Sequence, residues 1–213
     1  MKVHCFDVGG TVVNMDMVGE RHLAAYQKWA GKKNIDKQII KRTIENYQAR
    51  LREEPWAIGS RKKEIVKALE DPLFENKVPI NYDNIFQEDT LQVFREVIKA
   101  KQGIILFATG DIPWVKDNLP KDIAKKILHL YSDDKTDPKN FLKVIHKEKR
   151  EGHQIISHTA DTMPELRAAK ETGRIPHLFF INRNNTEIRE EVEKIAVFLS
   201  SMKEANYTHL RGS

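Results

Sequence analysis

The chain has 213 residues, 40% hydrophobic and 31% charged. That is ordinary for a soluble globular protein and enough for one good core, or for a core domain carrying a smaller insert. No apolar run approaches the roughly 20 residues of a membrane-spanning helix. The net charge of +5 comes from basic residues interleaved with acidic ones, as in Arg61-Lys62-Lys63-Glu64, a pattern of solvated helix faces rather than of a nucleic-acid tract.

The first expected strand is Val3 to Phe6, ended abruptly by Asp7-Val8-Gly9-Gly10-Thr11. It carries the one cysteine, Cys5, which has no internal disulfide partner and reads as a small buried hydrophobe. No signal-peptide pattern precedes the strand, and a reduced cytoplasm is the expected compartment. Residues 13–100 then read as helices without strands. Ile40, Ile44, Tyr47 and Leu51 fall at helical spacing, as do Leu91, Phe94 and Ile98, with Pro55, Gly59, Pro72 and Pro79 as punctuation. This block is expected to be an inserted helical domain, joined through linkers near residues 12–18 and 99–103.

Strand patterns recur at Ile104 to Ala108, Ile127 to Tyr131, Ile155 to Ile156 and Leu178 to Ile181. Helical patterns separate most of them. Asp137-Pro138 opens one helix as cap and first turn, Phe141, Leu142 and Ile145 give its apolar face, and Gly152 is its expected stop. A last helix is marked by Ile188, Val192, Ile195 and Leu199. Alternation of this kind implies a parallel sheet covered on both faces.

Ligands of such sheets bind outside the carboxyl ends of the strands. Asp7 and Thr109 follow two of these ends, Lys135 follows a third, and Asp161 lies beyond Ser157-His158-Thr159 on a fourth. Two carboxylates, a hydroxyl and an ammonium suit phosphoryl transfer, which depends on positioning and on neutralising spread negative charge. Each has a plainer reading. Asp7 could be a turn residue, Thr109 a strand end and Lys135 or Lys139 a solvated lysine, while Thr162 and Glu165 form a capping-box pattern in their own right. His158 reads as a satisfied strand-end histidine, and Trp29, Trp56 and Trp114 as packing residues.

The order of these residues resembles the four motifs of the haloacid dehalogenase superfamily. Phe6-Asp7-Val8-Gly9-Gly10-Thr11 is similar to the first, Leu106-Phe107-Ala108-Thr109-Gly110 to the second, Lys135-Thr136-Asp137-Pro138-Lys139-Asn140-Phe141 to the third, and Ala160-Asp161-Thr162-Met163-Pro164-Glu165 to the fourth. The resemblance implies an α/β fold, a Rossmann-like core over residues 1–12 and 101–213 with a helical cap at 13–100. It implies a phosphohydrolase dependent on Mg²⁺ and acting on a small phosphorylated metabolite. Asp7 would be the nucleophile that forms an aspartyl-phosphate. Thr109, Gly110 and Lys135 would bind phosphate. Asp7, the Gly9 carbonyl and Asp161 would hold the metal, with Glu165 a more distant metal partner.

Two positions depart from the pattern. Thr136 stands where proline is common. More important, Gly9 stands where the phosphatases of the family place the aspartate that serves as general acid and base, a role contributing roughly 10²–10⁴-fold. Asp16, Glu20 and Asp111 are candidate substitutes. The departure also opens three alternatives: carbon–halogen cleavage, carbon–phosphorus cleavage, or a non-catalytic binding protein.

Overall fold

The computed structural model describes residues 1–32, 81–109 and 113–183, with single positions at 36, 38 and 42. Five strands form one parallel sheet: β1 (Lys2–Asp7), β2 (Gly103–Ala108), β3 (Ile127–Ser132), β4 (Gln154–Ala160) and β5 (His177–Phe180). Their spatial order is β3-β2-β1-β4-β5. The described helices are α1 (Met15–Lys32), α2 (Glu88–Lys99), α3 (Pro113–Asn118), α4 (Lys121–Ala124), α5 (Pro138–Arg150) and α6 (Met163–Glu171). The architecture is the expected Rossmann-like α/β sheet. None of the described helices is long and apolar enough to cross a membrane.

β1 and β2 are buried along nearly their whole length because helices cover both sheet faces. On one face Val3, Cys5, Ile105 and Phe107 join Phe141 and Val144 of α5 and Ala168 and Ala169 of α6, with the Phe107 and Phe141 rings 5.0 Å apart. On the other, Phe6 meets Phe94 of α2 at 4.7 Å. Helix α5 starts as expected: the Asp137 carboxylate accepts from Lys139 N at 2.9 Å, with Pro138 in the first turn. Of the expected face Phe141 is buried while Leu142 and Ile145 are half-buried, and Asn140, Val144 and Glu148 are the other buried positions. Gly152, at φ +77°, follows the helix end in the left-handed region.

The chain divides into two compact units. One is Met1–Asn14, Phe86–Ala108 and Ile112–Ser213; the other is Met15–Ile85 with Thr109–Asp111. Helix α2, expected within an insert at 13–100, therefore belongs to the sheet-bearing unit. Periodicity revealed its apolar face but not what the face packs on, and that surface is Phe6 and β2. The spacing at Ile40 to Leu51 and the helix expected at Ile188 to Leu199 lie outside the described residues.

β4 is longer than its apolar core. Ser157, His158 and Thr159 continue the strand and are all buried. Ser157 Oγ lies 2.6 Å from His4 Nδ1 on β1, whose Nε2 lies 2.5 Å from the side-chain Oε1 of Gln102. Partners of this kind let polar residues stay inside a sheet.

Candidate active site

The strand order reverses direction at β1, which sends the chain to β2 and β3 on one side and to β4 and β5 on the other. Crevices at such switch points receive ligands in open α/β sheets. Asp7 is the last residue of β1 and Asp161 directly follows β4. Lys135, after β3, is buried, and its ammonium donates to Asp7 Oδ1 and, at 2.8 Å, to Glu165 Oε2. Thr11 Oγ1 donates to the other Asp7 oxygen at 3.2 Å. Residues from three distant stretches of the sequence thus meet at the carboxyl edge of the sheet.

A tight turn makes room for this. Val12 and Val13 N–H groups both donate to Val8 O, at 3.0 and 2.9 Å, and Gly10 N donates to Val13 O at 2.9 Å. Gly10 has φ +78°, where a side chain is strained. A Cβ there would also overlap the Asp161 carboxylate. Glycine at position 10 is required twice over.

Burial pushes the Asp7 carboxyl above its ordinary range, against the pull of the Lys135 charge, and Glu165 adds to the rise. Burial and the neighbouring Asp7 charge lift Asp161 as well, to about 8. Asp161 Oδ1 is buried with no hydrogen-bond partner among the described residues. Burial opposes the charge on Lys135, but Asp7 and Glu165 outweigh it and hold the ammonium protonated. For Glu165 burial is likewise overcome, by the His158 hydrogen bond and by Lys135, and its carboxyl lies below the usual range.

Glu165 does not complete a capping box. The Thr162 side chain makes no cap bond to the helix backbone, and its hydroxyl instead reaches Glu165 Oε2 at 3.4 Å. The carboxylate is turned into the site, where His158 Nε2 meets its Oε1 at 2.9 Å.

Of the residues singled out from the sequence, Asp7, Lys135, Asp161 and Glu165 are brought together. Lys139 is exposed, as are Asp16 and Glu20 on α1. Thr109 directly follows β2 and is half-buried, whereas Gly110 and Asp111 lie outside the described residues. Sequence reasoning gave Thr11 no role and set His158 aside as a satisfied strand-end histidine. Thr11 stood inside the first motif and His158 three residues before Asp161, so both were in view without an assigned partner.

Neither a family profile nor a curated protein sequence matches the chain. Solved structures do. A HAD phosphatase from Thermococcus onnurineus superposes with a TM-score of 0.55 at 18% identity, covering 87% of this chain and 88% of its own. A dehalogenase with an intermediate complex gives 0.52 at 12%, with 86% of each chain covered. A haloacid dehalogenase-like family hydrolase from Xanthomonas campestris gives 0.52 at 10%, covering 95% of this chain and 94% of that one. At such identities the likeness is one of fold: the chain folds as the hydrolases of the haloacid dehalogenase superfamily do.

Proposed function

We propose that the chain is a phosphohydrolase that depends on Mg²⁺, acting on a small phosphorylated metabolite in a reduced cytoplasm. The observation that carries the reading is the convergence of Asp7, Lys135, Asp161 and Glu165 at the carboxyl edge beside the strand-order reversal. In this reading Asp7 attacks phosphorus, the leaving group departs with its electron pair, and water hydrolyses the aspartyl-phosphate to restore the carboxylate. Lys135, fixed between Asp7 and Glu165, holds positive charge where a phosphoryl oxygen would lie. Thr109 and the backbone at Gly110 would bind the remaining oxygens. Glu165 holds the lysine, and His158 and Thr162 hold Glu165.

The donor set suits a hard divalent cation. The Asp7 charge bears on Asp161, one Asp161 oxygen is buried without a hydrogen bond to any described residue, and the Gly9 carbonyl is a third oxygen donor close in sequence. Among the described residues no cluster of three or more His, Cys, Asp or Glu side chains could hold a metal, so this site would lean on a backbone carbonyl and water. When bound, Mg²⁺ supplies neutralisation of the phosphoryl oxygens.

Position 9 carries no acid, and so no side chain there can protonate a leaving group. Aryl and acyl phosphates, whose leaving groups need no proton, are the favoured substrates over alkyl phosphates. The same glycine favours a second reading, displacement of halide from carbon by Asp7, because a halide also leaves unprotonated. The test is turnover of p-nitrophenyl phosphate with Mg²⁺ and with EDTA. Asp7→Asn is expected to abolish it, and unchanged turnover in that variant overturns the mechanism. Halide release that persists in EDTA selects the second reading.

A further inference from the structure

The loop after Asp7 is gripped from a third direction. Arg183 lies three residues beyond the end of β5, two strands away from β1. Its Nε donates to Gly10 O at 2.9 Å, and its Nη2 donates to Thr11 O and Thr90 Oγ1, both at 2.8 Å. Its Nη1 pairs with Asp89 Oδ2 at 2.5 Å. Thr90 Oγ1 in turn donates to Thr11 O at 2.8 Å, and Gln87 N donates to Val12 O at 2.9 Å. One guanidinium therefore ties together the loop at residues 10–11, the first turn of α2, and the segment following β5.

An arginine near an anion site is commonly a ligand for the anion. Here all three guanidinium nitrogens are engaged by protein acceptors, and Asp89 balances the charge. The side chain is largely buried, at 14% exposure. Its bonds go to the carbonyls of the peptides around Gly10, whose φ of +78° and contact with Asp161 set the shape of the loop.

We propose that Arg183 is a positioning residue, which fixes the backbone of the 8–13 loop and thereby holds Asp7 and Asp161 in register for reaction. It touches no reacting atom. The catalytic half of this inference rests on Asp7 being the nucleophile; the structural half does not. A planar fork with several donors is suited to holding two carbonyls, a hydroxyl and a carboxylate at once, and a lysine ammonium is not.

The experiment compares wild type with Arg183→Ala, Arg183→Lys and Asp89→Asn by steady-state turnover of p-nitrophenyl phosphate and by amide hydrogen exchange. Misplacement of about 1 Å can cost on the order of 10²-fold, so kcat of Arg183→Ala is expected to fall by ~30-fold or more with KM within about threefold. Exchange at the Gly10, Val12 and Val13 amides should quicken by ~10-fold or more while β1 and β4 amides keep their protection. Arg183→Lys should recover part of both effects. Asp89→Asn, which keeps the arginine, should lie between Arg183→Ala and wild type, and these two milder variants carry the test if the alanine variant does not fold. An unchanged kcat, a raised KM at constant kcat, or unaltered loop exchange overturns the inference. If wild type turns over no phosphate ester, the proposed activity fails, and the loop-exchange result alone then decides whether Arg183 holds the loop.

Discussion

At position 10 two demands coincide, a left-handed backbone and the absence of a methyl group. Gly10→Ala must accept a strained φ of about 1–3 kcal/mol and displace the Asp161 carboxylate from its seat on the loop. A lower melting temperature together with a loss of turnover of ~10²-fold is expected, measured by thermal melts and steady-state kinetics. The residue scale was also where the sequence was most legible. Asp7, Lys135 and Asp161 stood at strand ends in a recognisable order, because strand ends are set by short local patterns. Arg183 was not legible, since its partners at 10–11 and 89–90 are distant in sequence and two of its four acceptors are backbone carbonyls, which every residue possesses. Direction separates the two lysines: Lys135 turns in to Asp7 and Glu165, while Lys139 is exposed on α5.

Between elements, the contact of β3 with α5 is cemented by a buried carboxylate. Glu148 accepts from the Tyr131 hydroxyl, from His129 Nδ1 at 2.7 Å and from His153 Nδ1 at 2.7 Å. Burial alone would raise its carboxyl, but these donors prevail and hold it below the ordinary value of 4.5. A carboxyl lowered on folding stabilises the native state above its unfolded pKa, and that contribution is lost as pH falls through the lower, folded value. Glu148→Gln is accordingly expected to cost about 2–3 kcal/mol at pH 7. The cost should shrink progressively below about pH 4; denaturant melts of both proteins across this range check it, and a penalty independent of pH contradicts it. Periodicity revealed the α5 stripe but not that one of its inward positions is an acid, because no local pattern distinguishes a solvated Glu from one met by two histidines and a tyrosine. The same limit placed α2 in the wrong unit: Leu91 and Phe94 announce a buried face, whereas the identity of the covering surface is a tertiary fact.

For the whole molecule, a ligand that binds only the folded chain stabilises it by mass action. Mg²⁺ at about 100 times its dissociation constant would add ~2.7 kcal/mol, or on the order of 5–10 °C in melting temperature for a chain of this size. Asp161→Asn is expected to remove that response while leaving a folded protein, since the substitution also relieves the crowding of two carboxyl groups. A shift of equal size in the variant, read by calorimetry, counts against Asp161 as a ligand. The parallel sheet and its alternation with helices were readable in advance because apolar strands bounded by turn residues leave few other topologies.

The spatial order of the strands also bears on how the chain is made. β1 occupies the middle of the sheet, yet its neighbours β2 and β4 are encoded about 100 and 150 residues later. At a synthesis rate of roughly 5–20 residues per second, Val3 to Phe6 wait on the order of 10 s for a second flank. During that interval the strand lacks at least one partner, and a ribosome-bound chain already holds Asp7 but not yet Asp161. A nascent chain of this protein is therefore at its stickiest, and the proposed site is assembled only when β4 closes on a strand translated long before.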